Sequence, residues 1–299
     1  MSITKNWLIA LDFSDADKAL IHYSSELLNY FSPGKIFFVH VVNNDSNPDF
    51  YFDIDDFNKQ WINDLEKKLE RFIEESFNSK ILDYSTFVLE GDLVEAFINF
   101  TQKNQVDLVM VSKKSQSGMG LGIERLAKKL SACLMVVPEN HSGSINRIMV
   151  PTDFSDHSNL SVRYAADFFE RNTNLSLLAY HIVQIPPGAF SLDLKLEELT
   201  EKLMQKAKEN MQKFIGPYRS FVDHQMDMQK ELTIADIVLK KATQENIDLI
   251  MIGSKGHNHS PILMMGGATF KLLKINFSIP MLIVKLPDEN KKWISFFNS

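Results

Sequence analysis

The residues with the clearest chemical potential form one stretch, Gly253-Ser254-Lys255-Gly256-His257-Asn258-His259-Ser260-Pro261-Ile262-Leu263-Met264-Met265-Gly266-Gly267-Ala268-Thr269. It follows an apolar run at residues 248–253 and leads into a helical pattern near Ala268. Where a strand gives way to a helix, glycine lets backbone N–H groups reach an anion with no side chain in the way. The new helix adds the positive end of its dipole. The physical reading of Gly253, Gly256, Gly266 and Gly267 is therefore a phosphate cradle. Asp153 is the second candidate, in Val150-Pro151-Thr152-Asp153-Phe154-Ser155-Asp156. A carboxylate at that point can meet a ligand or can close an Asx turn after a strand.

Other reactive side chains carry weaker signals. His257 and His259 alternate in the loop, but no carboxylate or thiol lies near them in sequence to complete a metal site. Residues 45–56 loosely mimic a calcium loop, with Asp45, Asp49 and Asp56, yet Phe50 stands where the turn needs glycine and the last position is not Glu. That segment reads as an acidic surface loop whose Phe50, Tyr51 and Phe52 cover the core or meet a partner. His40 and His181 recur at matching positions and read as packed rather than catalytic. Cys133, in an apolar strand start, reads as an inert packed thiol. No glycine loop is followed by a Walker lysine, and no nucleophile–base pair stands out. No metal is expected beyond a magnesium ion carried in with a phosphate-bearing ligand.

The elements that position these residues come in two copies. Ile9-Ala10-Leu11-Asp12-Phe13-Ser14-Asp15 recurs 141 residues later as Val150 to Asp156, and at that offset Tyr23 meets Tyr164, His40 meets His181 and Asp107-Leu108-Val109-Met110 meets Asp248-Leu249-Ile250-Met251. The register holds from about residue 6 to residue 115, so the chain is a tandem duplication with its boundary in the polar stretch 139–144. Each half alternates strand and helix. In the second, the pattern predicts strands at 148–150, 175–183, 221–230, 248–253 and 281–285 and helices at 159–171, 234–244 and 268–274. Leu192, Leu196, Leu199, Leu203, Ala207, Met211 and Phe214 stripe a longer helix; Phe57, Trp61, Leu65, Leu69, Phe72 and Ser76 stripe its counterpart. These stripes are core faces, too short for a coiled coil. The fold class is α/β: two tandem, doubly wound, five-stranded parallel sheets. Ligands of such sheets bind beyond the carboxyl ends of the strands where the strand order reverses.

The spacing Gly253-x2-Gly256-x9-Gly266, the Asp153 turn and Tyr180-His181-Ile182-Val183 together resemble the nucleotide-binding signature of the universal stress protein family. The resemblance covers essentially the whole chain as two copies. It implies a Rossmann-like five-stranded domain, pairing of domains through their last strands and, in one subgroup, ATP binding. Carried over by position, Asp153 contacts the adenosine end, the backbone around Ile182 meets the adenine, and Gly253, Gly256, Gly266, Gly267, Ala268 and Thr269 surround the ribose and phosphates. One position departs from the family pattern. Gly267 stands where a Ser or Thr usually offers a hydroxyl, and the nearest hydroxyl is that of Thr269. A hydrogen bond to a charged group contributes about 1.5–3 kcal/mol, so losing it lowers affinity by about tenfold or more.

The first half departs further. Gly253 aligns with Ser112 and Gly256 with Ser115, and the final strands align at an offset of 147, so the first loop is six residues shorter. Asp12 and Val41 persist. Lys113 and Lys114 either rebuild an anion site or stand in a solvated loop on a domain kept for pairing, and the second reading is preferred.

Composition narrows the function classes. The 299 residues are 44% hydrophobic and 23% charged, which fits a globular chain of two domains, expected at residues 1–140 and 145–287 with a tail at 288–299. A net charge of -6 speaks against a nucleic-acid partner. A single cysteine leaves no internal disulfide or Cys-rich metal site. No apolar stretch reaches a membrane span and residues 1–7 do not read as a signal peptide, so a cytoplasmic location is expected. The tail Trp293-Ile294-Ser295-Phe296-Phe297 is apolar enough to dock on the body or on another chain, which leaves a protein partner or homodimer open. The expected function is a stress-response protein binding ATP or a related adenine nucleotide in its second domain, not an enzyme, although slow ATP hydrolysis stays open. The alternative is a nucleotide-free interaction scaffold built from paired domains.

Overall fold

The computed structural model describes residues 5–42, 55–77, 83–114, 121–141, 143–186, 196–256, 265–276 and 278–286. The chain divides into two compact units, one within Met1–Ser144 and one at Ile145–Leu286. The first runs β1 (Asn6–Leu11), α1 (Ala16–Leu27), β2 (Lys35–Val42), α2 (Asp55–Ser76), β3 (Tyr84–Glu90), α3 (Leu93–Lys103), β4 (Leu108–Lys113), α4 (Leu121–Lys129) and β5 (Cys133–Pro138). Its strands are parallel in the order β3-β2-β1-β4-β5. The second runs β6 (Arg147–Thr152), α5 (Asp156–Arg171), β7 (Ser176–Val183), α6 (Leu196–Ile215), a 3-10 turn, β8 (Val222–Met228), α7 (Ile234–Gln244), β9 (Leu249–Gly253), α8 (Gly267–Ile275) and β10 (Met281–Val284). Its order is β8-β7-β6-β9-β10, again parallel.

The central strands are continuous apolar runs because both faces are covered. Trp7, Leu8 and Ile9 on β1 and Leu249, Ile250 and Met251 on β9 are fully buried. The duplication extends to the backbone. The four non-glycine residues with positive φ among the described residues are Phe13 and Phe154, at 60° and 65°, and Gln105 and Asn246, at 50° and 49°. Each pair is separated by 141 residues. A phenylalanine in the left-handed region costs free energy and persists only where its surroundings enforce it.

Element boundaries depart from the sequence pattern at caps. α5 starts at Asp156, three residues before the periodic signal, because Ser155 accepts a hydrogen bond from the Ser158 N–H and caps it there. α7 matches its expected span, with Thr233 as its cap. Leu192, assigned to the stripe of α6, lies outside the described residues, as does the side chain of Phe57 on α2.

Candidate functional site

The site of the second unit begins where two strands part. β6 and β9 pair only through Ile148 with Leu249 and Met149 with Ile250, and strand order reverses between them. Beyond those pairs their carboxyl ends diverge and open a crevice, as doubly wound sheets do at this point. On one lip, β6 ends in the turn holding Asp153. The Phe154 N–H donates to Thr152 Oγ1 at 3.0 Å, and the Thr152 hydroxyl donates to Ser158 Oγ at 3.0 Å. The Phe154 ring packs on His181, 4.3 Å between centroids, and on Phe214 at 5.7 Å. Those contacts hold the strained φ. Asp153 then uses one oxygen for the Asx turn, accepting the Ser155 N–H at 3.1 Å. Its other oxygen faces Gly256, where a Cβ would stand 2.5 Å from it.

The far wall is the end of β7. This strand pairs with β6 only as far as His181 opposite Thr152, but with β8 as far as Val183 opposite Met228. The Val183 carbonyl accepts the Gln229 N–H at 2.8 Å on the β8 side. Strand groups alternate, so the Ile182 N–H and carbonyl turn toward β6, where β6 has already ended. A backbone edge with one donor and one acceptor thus faces the crevice. His181 is held beside it, its Nδ1 donating to the Thr152 carbonyl at 2.8 Å. Burial pushes its pKa down. That is a packed histidine, as its sequence position suggests.

The glycine positions do different work from one another. Gly253 has no room for a side chain, since a Cβ would lie 2.6 Å from the His157 Cβ; it lets α5 close on β9. Gly256 makes room for the Asp153 carboxylate. Gly266 is the N-cap of α8, with no side-chain cap bond, and its N–H donates to the Ser254 carbonyl at 2.8 Å. Gly267 faces open space among the described residues, none of which comes within 4 Å of a would-be Cβ. The first N–H groups of a helix have no partner within it, so those of Gly267, Ala268 and Thr269 are the donors that α8 presents. Thr269 does not replace the hydroxyl missing at Gly267. Its Oγ1 is buried and donates to the Gly253 carbonyl at 2.8 Å, so its single proton is already used.

These parts border one cavity of about 450 Å³, within the size range of small-molecule sites. It brings together Asp153, Ile182, Gly253, Gly256, Gly266, Gly267, Ala268 and Thr269. It also gathers residues that sequence reasoning missed: Lys206 and Asn210 on α6, Ser158 on α5 and Gln184 after β7. The available signal was faint, since Lys206 and Asn210 lie one turn apart at the margin of the apolar stripe that ends in Phe214. His257 and His259 lie outside the described residues. Among the described residues, no three His, Cys, Asp or Glu side chains are arranged to hold a metal ion.

The first unit has a smaller cavity at the matching place. β1 and β4 pair one residue further, through Ile9 with Met110. Asp12 accepts the Ser14 N–H at 3.1 Å, as Asp153 accepts that of Ser155, but its other oxygen receives the Lys114 ammonium at 2.5 Å. Burial works against the Asp12 charge, and the Lys114 and Ser14 hydrogen bonds outweigh it, holding the carboxyl below its usual range. Phe13 is held by Asp17, which occupies the position of Ser158 and accepts the Asp12 and Phe13 N–H groups at 3.0 and 2.7 Å. Burial and the neighbouring Asp12 charge push Asp17 up to about 7. One turn before Phe72, Lys68 sets its ammonium 4.2 Å from the Phe13 ring centre. Lys113 is buried, which lowers it to about 8. The cavity left is about 270 Å³, mostly apolar. Lys113 is thus buried, and Lys114 lines this cavity paired to Asp12. Residues 115–120 lie outside the described set, and so do 43–54 with the calcium-like loop and its aromatics, and the tail 287–299. No described helix is long and apolar enough to cross a membrane.

Residues 144–285 match the sequence model of the universal stress protein family. No curated protein matches the chain in sequence. Among solved structures, a universal stress protein from Archaeoglobus fulgidus superimposes with a TM-score of 0.67 at 17% identity, covering 94% of this chain and 98% of its own. A functionally unknown protein from Pseudomonas aeruginosa gives 0.66 at 13% identity, covering 98% and 96%. A universal stress protein in complex with cAMP gives 0.32 at 11% identity over 45% of this chain and 96% of its own. At these identities the structural likeness is one of fold.

Proposed function

The chain belongs to the universal stress protein family through residues 144–285, preceded by a second copy of the fold, and from that premise we propose that its second unit binds ATP or a related adenine nucleotide without strong catalysis. One observation carries the reading: a single cavity of about 450 Å³ gathers a backbone edge at Ile182, a carboxylate at Asp153 and the uncapped start of α8. The Ile182 N–H and carbonyl match the donor–acceptor edge of an adenine. The Asp153 carboxylate is suited to ribose hydroxyls, which donate to it. The Gly267, Ala268 and Thr269 N–H groups receive the phosphates, helped by the helix dipole. Any magnesium ion would arrive with the nucleotide. The Ser254 hydroxyl and His157 Nδ1, 3.1 Å apart, are buried behind the described lining of the cavity, and the reading assigns binding and no chemical step.

The second reading, a nucleotide-free scaffold, draws on the Thr269 hydroxyl being spent on Gly253 while Gly267 supplies none. The two separate on one experiment. Freshly purified protein, never exposed to added nucleotide, is denatured and the released small molecules are identified by mass spectrometry; apo protein is then titrated with ATP by calorimetry. One adenine nucleotide per chain, or saturable heat with that stoichiometry, is expected. No release and no heat at millimolar ATP would establish the scaffold. Multiple-turnover hydrolysis lost on replacing one acidic or histidine side chain, with binding kept, would overturn the non-enzymatic reading.

A further inference from the structure

The N-cap residue of α8, Gly266, has no side chain, so the aim of the first helical N–H groups depends on what grips the helix elsewhere. Two hydrogen bonds tie its start to the end of β9: the Gly266 N–H to the Ser254 carbonyl and the Thr269 hydroxyl to the Gly253 carbonyl, both at 2.8 Å. A third grip comes from the α7 side. The Lys271 ammonium, in the second turn of α8, donates to Thr233 Oγ1 at 2.9 Å and to Asp236 Oδ2 at 3.1 Å. Thr233 is the N-cap of α7, and its hydroxyl also donates to the Asp236 carboxylate. The Thr233 hydroxyl first and Lys271 second hold that carboxyl below its usual range.

We propose that Lys271, clasping Thr233 and Asp236, is a positioning residue for the cavity of the second unit: it fixes the tilt and roll of α8 so that the Gly267, Ala268 and Thr269 N–H groups converge on bound phosphate. The inference rests on the nucleotide reading above. Buried Leu272 and Leu273 seat α8 on the core through apolar contact, which is non-directional, so the hydrogen bonds at its start and the Lys271 clasp on the α7 side are the directional contacts that set its tilt and roll. The clasp is not a large folding term, because its side chains are 43% and 35% exposed and exposed ion pairs contribute little to stability. Its removal therefore leaves a folded protein in which to read the aim of the helix. The first unit supplies a control. There Arg125 of α4 grips Asp92, the N-cap of α3, at 2.8 and 3.1 Å, in a unit whose cavity is the smaller, mostly apolar one.

The test titrates the full chain with ATP and with adenosine, by calorimetry, for the wild type and for Lys271→Met, Lys271→Arg and Arg125→Met, with a thermal melt confirming that each is folded. Lys271→Met is expected to weaken ATP about threefold to tenfold, the partial loss of charge-assisted hydrogen bonds, and to leave adenosine within about twofold. Lys271→Arg restores most of the ATP affinity, and Arg125→Met changes neither ligand. Equal weakening of both ligands by Lys271→Met, no weakening of either, or the same loss from Arg125→Met would overturn the inference while leaving nucleotide binding intact. A wild type that binds neither ligand would instead overturn the nucleotide reading, and the inference with it.

Discussion

Two turns of one backbone, Asp12 to Ser14 and Asp153 to Ser155, share the same Asx hydrogen bond and the same left-handed phenylalanine, yet one borders a cavity of about 270 Å³ and the other a cavity of about 450 Å³. The difference lies in how each satisfies the turn. The second unit uses hydroxyls: Thr152 and Ser158 hold the Phe154 N–H with small neutral groups that need no counter-charge. The first places the Asp17 carboxylate at the equivalent buried position and the Lys114 ammonium on Asp12. The Lys114 ammonium, drawn to a half-exposed Asp12, occupies volume at the crevice mouth. Lys114 meets the Asp12 oxygen corresponding to the one that, on Asp153, faces Gly256. The larger crevice therefore stands beside the turn satisfied by hydroxyls, and the smaller, mostly apolar one beside the turn that carries an ion pair.

The largest expected effect comes from adding a charge to the larger cavity. Gly256→Asp puts a Cβ where Asp153 Oδ2 lies 2.5 Å away and adds a second carboxylate beside the first. ATP affinity should fall by about a hundredfold or more, from lost space and from charge repulsion with the phosphates. Ser115→Asp, at the aligned position of the first unit, should leave affinity and stoichiometry unchanged. Halved stoichiometry from both substitutions in a calorimetric titration would mean two working sites and would break the comparison.

The converse change completes the open site. Gly267→Ser places a Cβ in space that no described residue occupies, at the first residue of α8, and brings a hydroxyl proton that no backbone carbonyl has claimed. Tighter ATP binding by about threefold to tenfold is expected, one charge-assisted hydrogen bond offset by the ordering of a side chain. Adenosine affinity should not move. An unchanged ATP constant would show that residue 267 does not face the phosphates.

Much of this was legible in the sequence, for different reasons in different places. The strands and their alternation with helices follow from apolar runs such as Ile148-Met149-Val150 and from a duplication whose register holds for over a hundred residues. The glycine loop was found because glycine at a strand-to-helix junction opens the backbone to an anion and because its spacing resembles the family signature. What stayed hidden was which glycine did which work. Gly253 serves α5 packing against His157, a contact between residues 96 apart in the chain, which no local pattern reveals. The use of the Thr269 hydroxyl on Gly253 was equally unreadable, since a hydroxyl that faces a carbonyl and one that faces a ligand look alike in sequence. The difference in the first unit was half visible: Ser112, Ser115 and the shortened loop marked a lost cradle, but the Asp12–Lys114 pair required the fold.

The smallest effect concerns what the first unit carries in place of Ser158. Asp17 is fully buried, and its second oxygen has no hydrogen-bond partner among the described residues. Burial, with the Asp12 charge beside it, raises its pKa from an ordinary 3.8 to about 7. A carboxyl raised in the folded state holds a proton that the unfolded chain gives up. Its contribution to stability is therefore full below about pH 4 and is lost as pH rises through about 7. Asp17→Asn keeps one acceptor oxygen for the Asp12 and Phe13 N–H groups and cannot ionise. Between pH 4 and pH 8 the melting temperature of the variant should gain on that of the wild type by roughly 2–6 °C, since a kcal/mol corresponds to a few degrees for a chain of this size. Ser158→Ala, which removes the hydroxyl at the equivalent place, should shift stability by the same amount at both pH values. A wild-type-to-Asn difference that stays constant with pH would mean that Asp17 is not the buried acid of the first turn, and the contrast between charged and neutral solutions would lose its energetic basis.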